Sequence, residues 1–296
     1  MAITAATKTS DFAGFLKPEL AAPYFEQARR VSAVQKLARQ VPLGINGAEI
    51  PVVTSKPQAS WVAEGGKKPT TQGKLGLKTI TPKKLAAIAV VSAEVVRANP
   101  GSYMEIFKAD IAEAFATAFD AAVLHGTDTP FEAYLDQTSK SVELGTTGAD
   151  KGGLYGDLNA ALKVLVDDKK KLTGWAFDSK AEPTLNSAVD LNGRPLFSEA
   201  VYEDSALSGG RLLSRTALYS DGIGTDTIAG YGGDWSQLVW GVVGGITYDV
   251  STQATVTING ELTSLWEHNL VAIRAEAEYG ATIADTNAFV KLTDAA

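Results

Sequence analysis

The 296-residue sequence has no cysteine, two histidines and two methionines. Without thiols there is no disulfide framework, no Cys-ligated zinc, no thiolate nucleophile and no iron–sulfur centre. With His125 and His268 as the only imidazoles, a Ser-His-Asp triad or a two-histidine metal site has almost nothing to draw on. No run approaches the ~20 apolar residues of a membrane-spanning helix. The opening MAITAATKTSDF lacks the basic start and apolar core of a secretory signal, so the chain is expected to stay in the cytoplasm, with no membrane partner. H-E-x-x-H, G-x-S-x-G and the Walker sequence are missing as well. Asp167, Asp168, Asp221, Asp226 and Asp234 do not fall at the spacing of a calcium loop and read as solvated acids at helix ends and turns. These absences point away from an enzyme, a cofactor or a bound metal.

What is present is apolar bulk and glycine. Hydrophobic residues make up 45% of the chain, enough for real cores, and 28 glycines signal many turns. The length suggests about two domains. Acids outnumber bases 34 to 27, and a net charge of −7 gives no reason for a nucleic acid or an anionic membrane as partner. The mean conceals an asymmetry. Between Pro51 and Val90 lie Lys56, Lys67, Lys68, Lys74, Lys78, Lys83 and Lys84 against Glu64 alone, a local charge of +6 that leaves −13 for the rest. Arginine is absent there and Trp61 is the only aromatic ring, unlike a nucleic-acid arm built for stacking. Three readings stand: a solvated hairpin whose lysines discourage edge pairing, a self-complementary arm lying on the acidic body of another copy, or a nucleic-acid arm.

Along the chain, Tyr24, Ala28, Val31, Val34 and Leu37 predict a weakly amphipathic helix over Pro23–Gln40, stopped by Pro42 and Gly44. With so few large apolar residues it is an arm that must dock to be stable. Strand-like runs follow at Ile50–Thr54, Ala59–Glu64, Leu75–Thr81 and Leu85–Ser92, a long hairpin with its tip near Lys67–Gly73 and no core of its own. Ser102 with Glu105 forms a capping box, and Phe107, Ile111, Phe115, Phe119 and Val123 recur every fourth residue up to His125. Such a ladder drifts around the helix, which is therefore expected to be gripped from more than one side.

Residues 127–245 read as an α/β unit: a helix at Leu154–Asp167, a buried strand at Gly174–Asp178, a helix at Pro183–Leu191, a strand at Arg211–Tyr219, and glycine-rich DGIGTD and GYGGDW segments without a phosphate-cradle order. Strands are expected at Ser236–Val243, Ile246–Val250 and Ala288–Leu292. Over Leu262–Tyr279 the alternation puts Val271, Ile273, Ala275, Ala277 and Tyr279 on one face and Arg274, Glu276 and Glu278 on the other.

This order of parts resembles the major capsid proteins of tailed bacteriophages with the HK97 fold, of the type common among phages of actinobacteria. The resemblance rests on SWVAEGGKKP (60–69), LKTITPKKLAAIAVVSAEVV (77–96), FDAAVLHGTDTP (119–130), LNGRPLF (191–197), GDW (233–235) and LWEHNLVAIRAEAEYGATIADTNAFVKLT (265–293), in the family's order over nearly the whole chain. It implies an α+β chain with an N-terminal arm (1–48), an extended β-hairpin loop (49–92), a peripheral domain with a long spine helix (93–126), an α/β axial domain (127–245) and peripheral return strands (246–296). It also implies a structural subunit, in a virion assembled in the bacterial cytoplasm, that forms hexamers and pentamers of an icosahedral head around the DNA genome.

The resemblance further implies other copies of the chain as partners, with a portal protein, a separate scaffolding protein, a decoration protein and non-specific proximity to packaged DNA. Only some 48 residues precede the hairpin, too few for an internal scaffold of the family's kind. Trp61, Glu64, Lys67, Lys68, Lys74 and Lys78 are the expected inter-subunit contacts. Some members carry an isopeptide cross-link from a loop lysine to an asparagine, with a glutamate taking the proton. The matching positions are Lys67, Lys68 or Lys74 with Asn269 and Glu276. Two alternatives are an encapsulin-like nanocompartment shell and, from another class, a secreted β-rich binding module.

Overall fold

A computed structural model describes residues 32–98, 103–188, 195, 198–199 and 208–294. Among the described residues the chain builds two large sheets and two two-stranded hairpins, with one large apolar core and a second core beneath a helix.

The first sheet has four strands in the order Arg39–Gln40, Leu238–Ser251, Leu270–Ile283 and Lys83–Ser92. The three long strands run antiparallel, with Trp240 opposite Ala281 and Ala275 opposite Ala87. The alternation expected over 271–279 holds: Val271, Ile273, Ala275, Ala277 and Tyr279 are buried, whereas Arg274 is exposed and Glu276 and Glu278 half-buried. The strand itself begins at Leu270, later than expected. Residues 255–258 and 261–264 instead form a separate hairpin closed by Asn259 and Gly260, both at positive φ, the Asn-Gly turn that matches strand twist. The two strands expected at 236–250 are one, interrupted by a register shift between Val243 and Thr247 where Gly244 (φ 76°) and Gly245 (φ 138°) take conformations open mainly to glycine.

Across the sheet lies the helix Tyr103–Leu124, about 33 Å long at ~1.5 Å per residue. Ile111, Phe115, Phe119 and Val123 are buried as the ladder predicts. Between Phe107 and Phe119 no residue outside that stripe is buried; Asp120, Ala122, Val123 and Leu124 are all buried, so the grip from several sides is confined to the last turns. The Phe119 ring sits 5.2 Å from Tyr279, 6.1 Å from Trp240 and 6.2 Å from Phe131, joining helix, sheet and the following loop. The expected cap Ser102 lies outside the described residues.

The second sheet has seven strands in the order Ser141–Leu144, Phe289–Asp294, Ile228–Gly233, Gly174–Phe177, Arg215–Tyr219, Ser208–Leu212 and Ser198–Glu199. Helix Gly153–Asp167 covers one face, packing Leu158, Ala161 and Leu165 against Trp175, Phe177 and Leu292. Ala176, Tyr231 and Phe289 point the other way, into the core of the long helix. The glycine-rich GYGG at 230–233 is thus a central strand. A methyl at Gly232 would stand 2.5 Å from the Trp175 ring and one at Gly230 2.4 Å from the Ala176 carbonyl oxygen, so only glycine lets the indole and the neighbouring strand approach.

Other local expectations are corrected. Within the described part of Pro23–Gln40, helix covers only Ala33–Leu37; Ala38 turns extended, and Arg39–Gln40 pairs parallel with Val239 and Trp240. Ala33 and Val34 are buried, so this part of the expected arm docks on the body. The Ser32 hydroxyl caps the helix and donates to the fully buried Asp120 carboxylate at 2.5 Å. Ala59–Glu64 forms no strand; the hairpin consists of Ala48–Ser55 and Lys74–Ile80. Arg211–Tyr219 is split by a turn at Leu213 and Ser214, both at positive φ, and the helix expected at Pro183–Leu191 spans Glu182–Asn186. Most of LNGRPLF lies outside the described residues.

Candidate assembly surface

The hairpin is anchored only at its base. Ile80 is buried with Leu43 and Val239, and Ala48 and Ile50 pack beside them. The Lys78 ammonium donates to the Ile283 carbonyl at 2.5 Å, tying the hairpin to the long sheet. Beyond this foot the chain is bare. Every residue from Ser55 to Leu75 is exposed, including Glu64, Lys67, Lys68 and Lys74, and Trp61 is as open as in an extended peptide, at 104%. Two local bonds shape the loop: Gly66 N–H donates to the Ala63 carbonyl at 2.9 Å, and Gln58 N–H to the Thr71 hydroxyl at 2.8 Å. Val53, Leu75 and Leu77 stand exposed on one face of the hairpin, Val53 directly opposite Leu75. An apolar face without a core beneath it, carrying an open tryptophan, marks a surface completed by another molecule.

A second exposed surface lies where Leu270–Ile283 begins. Leu262 and Trp266 are 79% and 73% exposed on the small hairpin and the turn after it. Asn269 closes that turn at φ 51° and is clasped on the backbone: its N–H donates to the Trp266 carbonyl at 3.4 Å and its carbonyl accepts from Ala93 N–H at 2.9 Å. The Asn269 side-chain amide donates to the carboxylate of Glu94, in the helix Ala93–Ala98.

Glu276 is elsewhere. It sits seven residues along the strand, ~23 Å away at ~3.3 Å per residue, with Lys84 and Arg274 each 3.6 Å from its carboxylate. One chain therefore does not bring Asn269 and Glu276 to one point.

Enzyme-like clusters resolve into structural bonds. His125 and His268 take separate partners, His268 facing the Ser264 carbonyl at 2.9 Å. His125 belongs to a largely buried network in which Tyr231 donates to Asp136 Oδ1 at 2.7 Å and His125 Nδ1 stands 3.1 Å from Asp136 Oδ2 and 3.0 Å from the Tyr231 hydroxyl. Burial alone would raise the Asp136 pKa, but the bonds from His125 and Tyr231 and the nearby His125 and Lys291 charges hold it below its ordinary value. Burial, with the Asp136 charge, pushes the Tyr231 phenol upward. Asp167 and Asp168 are paired with Lys163 and Lys140, each at 2.6 Å, and the Lys140 bond lowers the Asp168 pKa. Among the described residues no group of three His, Cys, Asp or Glu could hold a metal ion, and no helix is long and apolar enough to cross a membrane.

Comparison with known proteins agrees with this architecture. The sequence profile of the Phage capsid family matches residues 13–294. The chain is 45% identical to the probable major capsid protein gp17 of Mycobacterium phage L5, over 98% of this chain and 92% of that one. It is 44% identical to gp17 of Mycobacterium phage D29, over 98% and 93%. A solved structure from Mycobacterium phage Bobi superposes with a TM-score of 0.76 over 99% of this chain and 100% of that one, at 21% identity, a likeness of fold.

Proposed function

The chain belongs to the phage capsid family, and on that premise we infer that it is a major capsid protein of mycobacteriophage type, a structural subunit of the phage head with an HK97-like α+β fold. It is a virion component that assembles with copies of itself, and its role is structural rather than enzymatic. The observation that carries the reading is the footed but otherwise bare hairpin with its fully exposed Trp61. A stable monomer has no use for such a surface, whereas a shell subunit completes it on the next copy.

Residues 49–92 contain the extended loop that lies over a neighbour, its lysines meeting an acidic body, while Lys83–Ser92 runs back into the long sheet. Residues 93–126 and 246–296 supply the peripheral domain and 127–245 the axial domain at five- and sixfold axes, with Phe289–Asp294 lending its strand to the axial sheet. Residues 1–48 form the arm. Hexamers and pentamers close around the genome in the host cytoplasm, joined by portal, scaffolding and decoration proteins.

A chain without cysteine has no disulfide with which to lock its shell. The exposed Lys67, Lys68 and Lys74 of one copy and Asn269 of another suit an isopeptide cross-link in that role. Electron microscopy of the purified chain tests the main reading. Closed shells or capsomer rings are expected, and a monomer under all assembly conditions refutes it.

A further inference from the structure

Asn-Gly pairs occur at 46–47, 192–193 and 259–260. In this dipeptide the nitrogen that follows the asparagine is least hindered, since glycine has no Cβ, and it can attack the asparagine side chain. The pair at 192–193 lies outside the described residues. The other two differ in how the glycine nitrogen is held. We propose that Asn259 is a site of spontaneous backbone modification, at which the Gly260 nitrogen displaces ammonia from the side chain and leaves isoaspartate or aspartate, whereas Asn46 is protected.

Access does not separate the two, because Asn46 and Asn259 are both exposed. Hydrogen bonding does. Among the described residues neither the Gly260 N–H nor the Asn259 side-chain amide donates to any acceptor. Gly47 N–H instead donates to the Gly44 carbonyl at 2.9 Å, which withholds its proton from base. Space differs as well. A Cβ at Gly260 would meet no atom within 4 Å, so the peptide is free to rotate toward the side chain. One at Gly47 would stand 2.4 Å from the Ile80 carbonyl oxygen, at the packed foot of the long hairpin. Finally, Asn259 and Gly260 close a hairpin of only four residues a strand, Thr255–Ile258 with Glu261–Ser264, an element short enough to open locally.

The chemistry balances with water and base alone. Hydroxide takes the Gly260 amide proton, and the nitrogen adds to Cγ of Asn259. The Cγ–Nδ2 bond breaks, and ammonia leaves with a proton from water, which regenerates hydroxide and closes a cyclic imide. Water then opens the ring. Attack at Cγ gives aspartate, and attack at the backbone carbonyl carbon gives isoaspartate, whose chain runs on through Cβ and Cγ. One water is consumed and one ammonia released; nothing is oxidised or reduced. The product adds a negative charge beside Glu261 and, as isoaspartate, an extra backbone atom to a turn whose register admits two residues. Both changes fall next to the exposed Leu262, so fresh and aged subunits present different surfaces there.

Incubating the purified, unassembled full chain at mildly alkaline pH and following its peptides by mass spectrometry tests this. In the folded chain the Asn259 peptide should lose its amide and become an acid, mostly isoaspartate, while the Asn46 peptide keeps its amide. In denaturant, where both glycine nitrogens are free, the two should convert at similar rates. An Asn259 that keeps its amide in the folded chain, or an Asn46 that loses it as fast, overturns the proposal. A bias toward Asn259 that persists undiminished in denaturant places the cause in the local sequence and overturns it as well.

Discussion

Replacing Tyr231 by Phe should destabilise the subunit by about 2 kcal/mol, the net worth of a hydrogen bond to a charged group. Tyr231 is fully buried and its hydroxyl donates to Asp136 at 2.7 Å. Phenylalanine fills the same space, so the loss is the bond rather than a cavity. The acceptor is ionised at neutral pH because Asp136 is held below its ordinary pKa of 3.8. A carboxyl with a lowered folded pKa takes up protons more readily when unfolded. Its contribution is therefore full above about pH 4, near the ordinary value, and is lost as pH falls through the folded one. Thermal unfolding of the unassembled subunit at pH 7 should show a fall of roughly 3 °C for a chain of 296 residues, and the gap between variant and wild type should narrow in acid. In a double-mutant cycle with Asp136→Asn, the Tyr231→Phe cost should shrink, since the charged acceptor is already gone. A Tyr231→Phe variant within about 0.5 kcal/mol of wild type, or an equal cost in the Asp136→Asn background, refutes the assignment of this network as a charge-assisted joint between helix and sheet.

Gly230→Ala places a methyl 2.4 Å from a backbone oxygen of the adjacent strand and should cost about 1–3 kcal/mol or abolish soluble expression; wild-type stability by denaturant titration would contradict the packing described. Replacing residues 57–72 by a short turn removes only exposed residues, so the unfolding transition should stay within about 0.5 kcal/mol of wild type while shell formation, followed by light scattering, is lost. Shells formed at normal yield would show that the loop is dispensable.

Periodic burial was legible in the sequence. The every-fourth-residue ladder from Phe107 to Val123 and the alternation from Val271 to Tyr279 both correspond to real faces, because a long element has room to repeat its signal. Short or glycine-rich segments were not. Residues 230–233 carry no strand signal because glycine is a poor strand former, yet here the missing side chains make room for Trp175, a reason visible only from another strand. Ala59–Glu64 has a strand's composition but no partner to pair with. The Asn259-Gly260 turn carried a plain hairpin signal that the longer alternating run obscured. The contact of Glu94 with Asn269 could not have been found from sequence spacing, since it is made across 175 residues of chain.

The place of Phe289–Asp294 bears on timing during synthesis. This strand lies between Ser141–Leu144 and Ile228–Gly233, so two of the sheet's ladders wait until the chain has been made as far as residue 294. Until Phe289–Asp294 leaves the ribosome, Ser141–Leu144 has no strand to pair with and Tyr231 lacks its flank. A chain that stops before residue 289 therefore leaves two strands of this sheet with open edges, the kind of surface that mispairs with other chains.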